Sequence, residues 1–150
     1  MLLGNPSDGV RTPPVVLAYG VLGLVPFVTP PILGLIHPAL SGPAAWALSV
    51  YGALILSFLG GARWGQAIRA DAPSAWTTTL SMVPTLAGLA LLLTPPEAAK
   101  LRLLGLAAAL ILHGVWDRLS PGLPLWYSAL RTPLTLVAAS GLIAGAAILT

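Results

Sequence analysis

His113 and Asp117, in the segment HGVWDRL at 113–119, come closest in type and spacing to residues that could do acid–base or metal chemistry. Residues four positions apart lie on one face of a helix, so this carboxylate could act with this imidazole as the acid–base pair that a catalytic site needs. Two such ligands are too few for a structural zinc site.

The rest of the sequence offers little other catalytic chemistry. The chain has no cysteine, which excludes disulfides, thiolate nucleophiles and thiolate metal sites. Its four acidic residues are spread over four segments, and it contains neither a glycine-rich phosphate loop nor a nucleophile elbow. We therefore expect no catalytic residue, no metal and no cofactor, and a protein that is not an enzyme.

The composition indicates that the chain is solvated by lipid. Hydrophobic residues make up 57% of its 150 residues and charged residues only 7%, whereas a soluble domain carries about 25% charged residues. The net charge of +3 comes from scattered basic residues, which argues against a nucleic-acid interface and favours phospholipid head groups as the anionic partner.

The apolar segments predict an all-α integral membrane protein built as one five-helix transmembrane bundle over residues 1–150. A spanning helix needs about 20 mostly apolar residues, and the N-terminal segment lacks the basic start of a signal peptide, so we expect it to be retained. The expected helices are 13–36, 43–66, 75–94, 95–118 and 124–149.

Prolines and one capping motif predict local features of these helices. The prolines at 26, 30 and 31 remove amide donors and predict a break near Thr29, while Pro84 predicts a milder kink. In TPPE at 94–97, Thr94 is the expected N-cap, with Glu97 reaching back to it, so that the fourth helix begins near 95. The two basic residues that follow, at 100 and 102, are expected to snorkel to the interface.

The distribution of basic residues predicts the orientation. Five helices place five arginines on the side of the N-terminus and only Lys100 and Arg102 on the other, which favours a cytoplasmic N-terminus, or one in the matrix of a mitochondrion. The same topology separates His37 from His113 by roughly 30 Å of hydrocarbon, so one metal or haem cannot use both. The five arginines are Arg11, Arg63, Arg69, Arg118 and Arg131.

Small residues at intervals of four predict a packing seam on the second helix. Such a stripe lets another helix approach closely, which is how helices associate in lipid. Gly141 and Gly145 repeat the spacing in the fifth helix. The stripe on the second helix consists of Ser49, Ala53, Ser57, Gly61 and Gly65.

Polar and aromatic residues gather at the expected cytoplasmic end of the bundle. One interpretation is that the basic residues are the ordinary positive charges of cytoplasmic loops and that the aromatic residues form the usual belt at the membrane interface. The other is that Asp117 pairs with Arg63 or Arg131 to tie helices together beside a site for an anionic lipid head group. The residues of this predicted rim are Arg63, Trp64, Asp117, Arg118, Trp126, Tyr127 and Arg131, together with Trp116.

Four segments resemble one family, the domain of unknown function 3429, whose members are relatives of mitochondrial transmembrane protein 69. They are YGALILSFLGGARWG at 51–65, VPTLAGLALLL at 83–93, WDRL at 116–119 and LWYSALRTPLTLV at 125–137. The resemblance runs from about 15 to 148 and implies a five-helix inner-membrane protein. It implies no activity, but it suggests that Gly60, Gly61 and Gly65 matter together with the rim residues.

These observations favour a small non-catalytic inner-membrane protein, bacterial or mitochondrial. It would act as an accessory or assembly subunit that packs against partner transmembrane helices, in a homo-oligomer or a larger complex, and would bind anionic phospholipid at its cytoplasmic rim. The alternative is a small carrier or receptor for an apolar ligand held between the kinked first and third helices.

Overall fold

The computed structural model describes residues 11–120 and 123–150, and in these ranges every regular element is a helix. Short 3₁₀ turns at Pro38–Leu40 and Pro96–Ala98 lead into the third and sixth α-helices. The α-helices are α1 Pro14–Leu22, α2 Val25–Ile36, α3 Ser41–Ala67, α4 Ala75–Leu80, α5 Val83–Leu92, α6 Ala99–Leu119 and α7 Leu125–Ile148.

These helices form five spans within the described ranges, each long and apolar enough to cross a membrane. The first span combines α1 with α2, and the third combines α4 with α5. The prediction of an all-α five-helix membrane protein is therefore confirmed. The spans are Pro14–Ile36, Pro38–Ala67, Ala75–Leu92, Pro96–Leu119 and Leu125–Ile148.

The first span breaks earlier than predicted. Helix α1 ends at Leu22 and α2 begins at Val25, whereas Thr29 lies inside α2 and its hydroxyl donates to the Val25 carbonyl at 3.0 Å. The break precedes Pro26 because a proline fits in the first turn of a helix, where its missing amide leaves no bond unmade. The Gly23 carbonyl at the break accepts a hydrogen bond from the Tyr51 hydroxyl of α3 at 2.9 Å.

The third span follows the same rule. Pro84 occupies the first turn of α5, and the chain breaks between α4 and α5 rather than bending mildly. The capping box predicted at its far end is wrong. The Thr94 hydroxyl donates to the Leu91 carbonyl at 2.6 Å, the 3₁₀ turn is preceded by Pro95, and the α-helical part of the fourth span begins only at Ala99.

Arg102 makes the main side-chain contacts at this junction, and they go to carbonyls at the end of the third span. It is 3% exposed, so it does not snorkel to the interface. Its Nη2 donates to the carbonyls of Thr94 at 2.8 Å and Pro95 at 3.0 Å, and its Nε lies 3.3 Å from that of Leu91. The guanidinium thereby binds the free carbonyls at the end of α5, as a cation at a helix C-terminus does.

Helix α3 lies at the centre of the bundle and packs against the first, third, fourth and fifth spans. The core around it is aliphatic and closely packed, with Leu48, Leu56, Leu106 and Leu142 fully buried. The first span packs against α3 and α7, whereas α5 packs against α3 and α6. The two kinked spans therefore share α3 as a neighbour but otherwise pack against different helices. The alternative of a ligand held between them stays a prediction.

The predicted seam of α3 packs against the rest of the bundle in its first half, whereas its second half meets none of the described residues. Ser49 is buried, Ala53 contacts Gly88 of α5, and the Ser57 hydroxyl lies 3.0 Å from that of Thr85. At Gly61 and Gly65, by contrast, an added Cβ would meet no atom of the described residues within 4 Å.

The contact line passes instead through Gly60, where a Cβ would lie 2.6 Å from the Ser81 carbonyl oxygen. A step of four residues drifts about 40° around a helix with 3.6 residues per turn. Where two helices wrap around each other, the residues in contact recur about every 3.5 positions along each helix. Steps of four between contact residues must therefore alternate with steps of three. The step from Ser57 to Gly60 is such a step.

The glycine pair on α7 packs against its own bundle. Gly141 lies directly against the Phe27 carbonyl, and Gly145 lies against the Leu48 side chain. Pro31 cannot donate to the Phe27 carbonyl, which would otherwise accept a helical bond from position 31. The missing side chain of Gly141 thus lets α7 cover the backbone that the proline leaves open.

Candidate functional site

A buried charge cluster joins three spans around Asp117, whose exposed fraction is 1%. Arg131 of α7 donates a hydrogen bond from Nε to Oδ2 of Asp117 at 3.1 Å. Arg63 of α3 approaches from the other side, with its Nε 3.6 Å from Oδ1. The sequence hypothesis that Asp117 pairs with Arg63 or Arg131 therefore matches the observed geometry, in which both arginines contact the same carboxylate.

The cluster lies inside the helices rather than in the loops. Arg63 precedes the end of α3 by four residues, Asp117 precedes the end of α6 by two, and Arg131 follows the start of α7 by six. At 1.5 Å per residue these positions are about 3 to 9 Å from the nearest helix end. Neighbouring spans run in opposite directions, which brings these three helix ends to the same end of the bundle.

Arg63 is held by two further contacts. Its guanidinium carbon lies 4.6 Å from the ring centroid of Trp116, and its Nη1 donates to the Gln66 amide oxygen at 3.2 Å. Stacking on an aromatic face suits the planar guanidinium, which carries its charge into an apolar setting more readily than an ammonium does. Arg63 is 7% exposed as a result, although it lies near the end of the span.

His113 completes the cluster one turn before Asp117. Its Nδ1 is 3.4 Å from Oδ2 of Asp117, and its ring meets that of Trp116 edge to face at 5.4 Å. Neither ring nitrogen has a hydrogen-bond partner among the described residues, and the residue is 4% exposed. Thr135 is also buried beside α6, against Gly114, with its hydroxyl unpartnered in the same ranges.

The structure places three charged residues of the predicted rim inside the bundle rather than at its surface. Arg63, Asp117 and Arg131 are buried, because Asp117 lies between the two guanidinium groups and draws them inward. The outer members of the rim are Trp64 and Arg118, which are exposed, and Trp126 and Tyr127, which are half-buried.

Charge is not balanced within this cluster. Arg63 and Arg131 carry two positive charges and Asp117 one negative charge, so at least one positive charge is left over whatever the state of His113. The Nη2 of Arg131 is buried and has no hydrogen-bond partner among residues 11–120 and 123–150. The arrangement is suited to an anion. Within those same ranges, no three histidine or acidic side chains come together as metal ligands.

A cavity of about 580 Å³ adjoins the cluster, between the first span and helices α3, α6 and α7. Arg131 and Tyr127 form part of its wall at the end near the cluster. Sequence reasoning missed this cavity because it depends on how the two halves of the first span lie against α3 and α7.

Comparison with known proteins identifies the family. Residues 12–147 match the family described as protein of unknown function (DUF3429). The chain belongs to that family. Two curated relatives are both named transmembrane protein 69. The Xenopus tropicalis protein is 44% identical over 87% of this chain and 53% of its own length, and the Mus musculus protein is 35% identical over 85% and 53%. The chain spans about half the length of these relatives.

The resemblance seen in the sequence is thus confirmed, and the chain is a multi-pass membrane protein. No solved structure matches it significantly. The segments that carried the resemblance contribute Arg63, Trp116, Asp117 and Arg131, which meet in the cluster. The family assigns no activity to them.

Proposed function

We propose that the protein is a non-catalytic inner-membrane protein that binds an anionic phospholipid at the buried charge cluster and serves as an accessory subunit of a larger membrane assembly. The observation that carries the proposal is the surplus positive charge on Arg63 and Arg131, which share one carboxylate. An uncompensated charge inside a helix bundle is costly. A phosphate bound beside Arg131 would offset it.

The geometry of Asp117 and His113 supports a non-catalytic role. A general acid or base must reach the group with which it exchanges a proton. Asp117 is enclosed by two arginines and His113, and His113 is itself enclosed beside Trp116. Asp117 ties α6 to α3 and α7, and His113 contacts Asp117 and Trp116 of its own helix. The acid–base pair suggested by their spacing is therefore better explained by a structural role.

The second half of the predicted seam on α3 supports an accessory role, because the described helices of this protein do not cover it. Among the residues that the structure describes, none lies beside Gly61 or Gly65, and Trp64 next to them is 41% exposed. Small residues on a lipid-facing helix allow another helix to approach closely. The partner would be a transmembrane helix of another subunit, either a second copy of this chain or a member of a larger complex.

The membrane and orientation belong to the same proposal. The basic residues favour an N-terminus in the cytoplasm of a bacterium, or in the matrix if the protein is mitochondrial. The charge cluster would then lie in the inner leaflet, where anionic lipids attract basic side chains.

The lipid proposal is tested by counting bound lipids after mild-detergent purification from membranes that contain phosphatidylglycerol. Native mass spectrometry should detect a retained anionic lipid on the wild type and on Arg131→Lys, which keeps the charge, but much less on Arg131→Gln. Arg69→Gln is the matched control, since Arg69 is an exposed arginine that lies outside the predicted rim. Equal retention by the wild type and Arg131→Gln would refute the proposal.

The cavity favours a second candidate, a carrier or receptor for an apolar ligand. Its volume of about 580 Å³ lies within the range of about 300 to 1,000 Å³ typical of small-molecule sites. A monodisperse monomer that retains an uncharged hydrophobic molecule would support this candidate, whereas co-migration with a large membrane complex would support the accessory role.

A further inference from the structure

The cavity beside the cluster is a groove with one polar end. Most of its wall is formed by aliphatic and aromatic side chains from the first span, α3 and α7, with Leu110 from α6. Tyr127 to Ala138 on α7 and Tyr51 to Ala62 on α3 line it. Each of these stretches covers eleven residue steps, so the groove runs for about 16 Å along the bundle.

The polar end is built around Arg131. Its Nε is engaged by Asp117, while its Nη2 is buried and has no partner within the described residues. The free edge of a guanidinium is a good donor to phosphate or carboxylate oxygens. Tyr127 lies one turn earlier on α7 and lines the same end of the groove.

The apolar end lies at the break in the first span. Phe27 and Tyr51 meet edge to face there at 5.1 Å, and the Tyr51 hydroxyl binds the Gly23 carbonyl. The backbone group freed by the break is therefore satisfied, which leaves the end of the groove apolar. Side chains of α1 along the groove, such as Tyr19, which is 73% exposed, face the surroundings of the bundle. The groove is thus open to lipid along α1.

We infer that this groove holds one acyl chain of an anionic glycerophospholipid, whose phosphate binds the free edge of Arg131. The inference rests on the proposed lipid-binding function and assigns the lipid its place. An apolar groove of this length and a volume of about 580 Å³ accommodates a single chain, and its opening along α1 leaves the second chain in the bilayer. Moving an acyl chain from the bilayer into the groove gains little free energy, because both surroundings are apolar. The affinity therefore comes from the phosphate, and the groove determines where the chain lies.

The groove is tested separately from the charge by filling it. Ala62 lines the groove and is exposed, so Ala62→Phe should narrow the groove without disturbing the core. Ala129→Phe is the matched control, since Ala129 is an exposed alanine of α7 that does not line the groove. Protein purified from phosphatidylglycerol-containing membranes is compared by native mass spectrometry and by thermal melting with added phosphatidylglycerol.

The expected result is a several-fold loss of retained phosphatidylglycerol, and a smaller rise in melting temperature on adding it, for Ala62→Phe alone. Normal retention by Ala62→Phe, together with loss by Arg131→Gln, would overturn the groove but leave the lipid function standing. Normal retention by Arg131→Gln would overturn the lipid function itself. Recovery of a free fatty acid or an uncharged lipid as the bound molecule would overturn the assignment of a phospholipid.

Discussion

At the scale of single residues, Asp117 is the residue on which the cluster depends. It is the shared partner of two arginines that come from helices distant in sequence. The spacing of His113 and Asp117 predicted their common face, and the count of basic residues placed Arg63 and Arg131 at the same end. Their burial could not be predicted in this way, because it depends on how closely α3, α6 and α7 approach one another.

Two substitutions should have unequal effects on stability. Asp117→Asn leaves both arginines buried without a counter-charge, and breaking a buried ion pair in this way costs about 3 kcal/mol or more. Arg131→Gln should cost less, because Arg63 and Asp117 remain and their charges cancel. Thermal melts in a neutral detergent should therefore rank the wild type above Arg131→Gln and Arg131→Gln above Asp117→Asn. Arg118→Gln serves as the control and should melt near the wild type, and the reverse order of the two variants would contradict the charge argument.

At the scale of helices, sequence patterns predicted which elements exist better than where their contacts fall. The prolines indicated that the first span is broken and the third is kinked, but Pro26 and Pro84 each lie in the first turn of a new helix, so both breaks precede the proline. The stripe of small residues identified the face of α3 that meets α5, yet a strict step of four led from Ser57 to Gly61, whereas the contact lies at Gly60. The position along the seam at which a step of three residues occurs depends on how the two helices cross. The crossing is a tertiary property that the sequence pattern does not contain.

The adjacent glycines of α3 provide a matched test of that seam. Gly60→Ala places a Cβ 2.6 Å from a backbone oxygen of the third span, and overpacking of this kind costs about 1 to 3 kcal/mol. Gly61→Ala meets nothing among the described residues and should be neutral or raise the melting temperature, since alanine is about 1 kcal/mol better than glycine in a helix. Equal melting of the two variants in detergent would show that the seam does not pass through Gly60.

At the scale of the whole molecule, composition alone predicted the class of protein. A chain with 7% charged residues and five apolar stretches has few alternatives to a helical membrane bundle. The groove and the buried cluster are not visible at this scale, because both arise where segments far apart in sequence meet. The positive-inside rule connects the charge cluster with the whole molecule, since the arginines of the cluster are among those that determine the predicted orientation.

The orientation of the bundle is the last prediction, and the chain is well suited to test it because it contains no native cysteine. Single cysteines at Ala72, between the second and third spans, and at Thr150, after the fifth, replace exposed residues outside the helices. If five spans cross the bilayer, these two positions must lie on opposite sides. In right-side-out vesicles an impermeant maleimide should label Thr150→Cys, whereas Ala72→Cys should react only after permeabilisation, because the arginine-rich end faces the cytoplasm. Labelling of both positions from outside would refute the five-span topology. Labelling of Ala72→Cys from outside, with Thr150→Cys reacting only after permeabilisation, would show the opposite orientation of the same five-span fold.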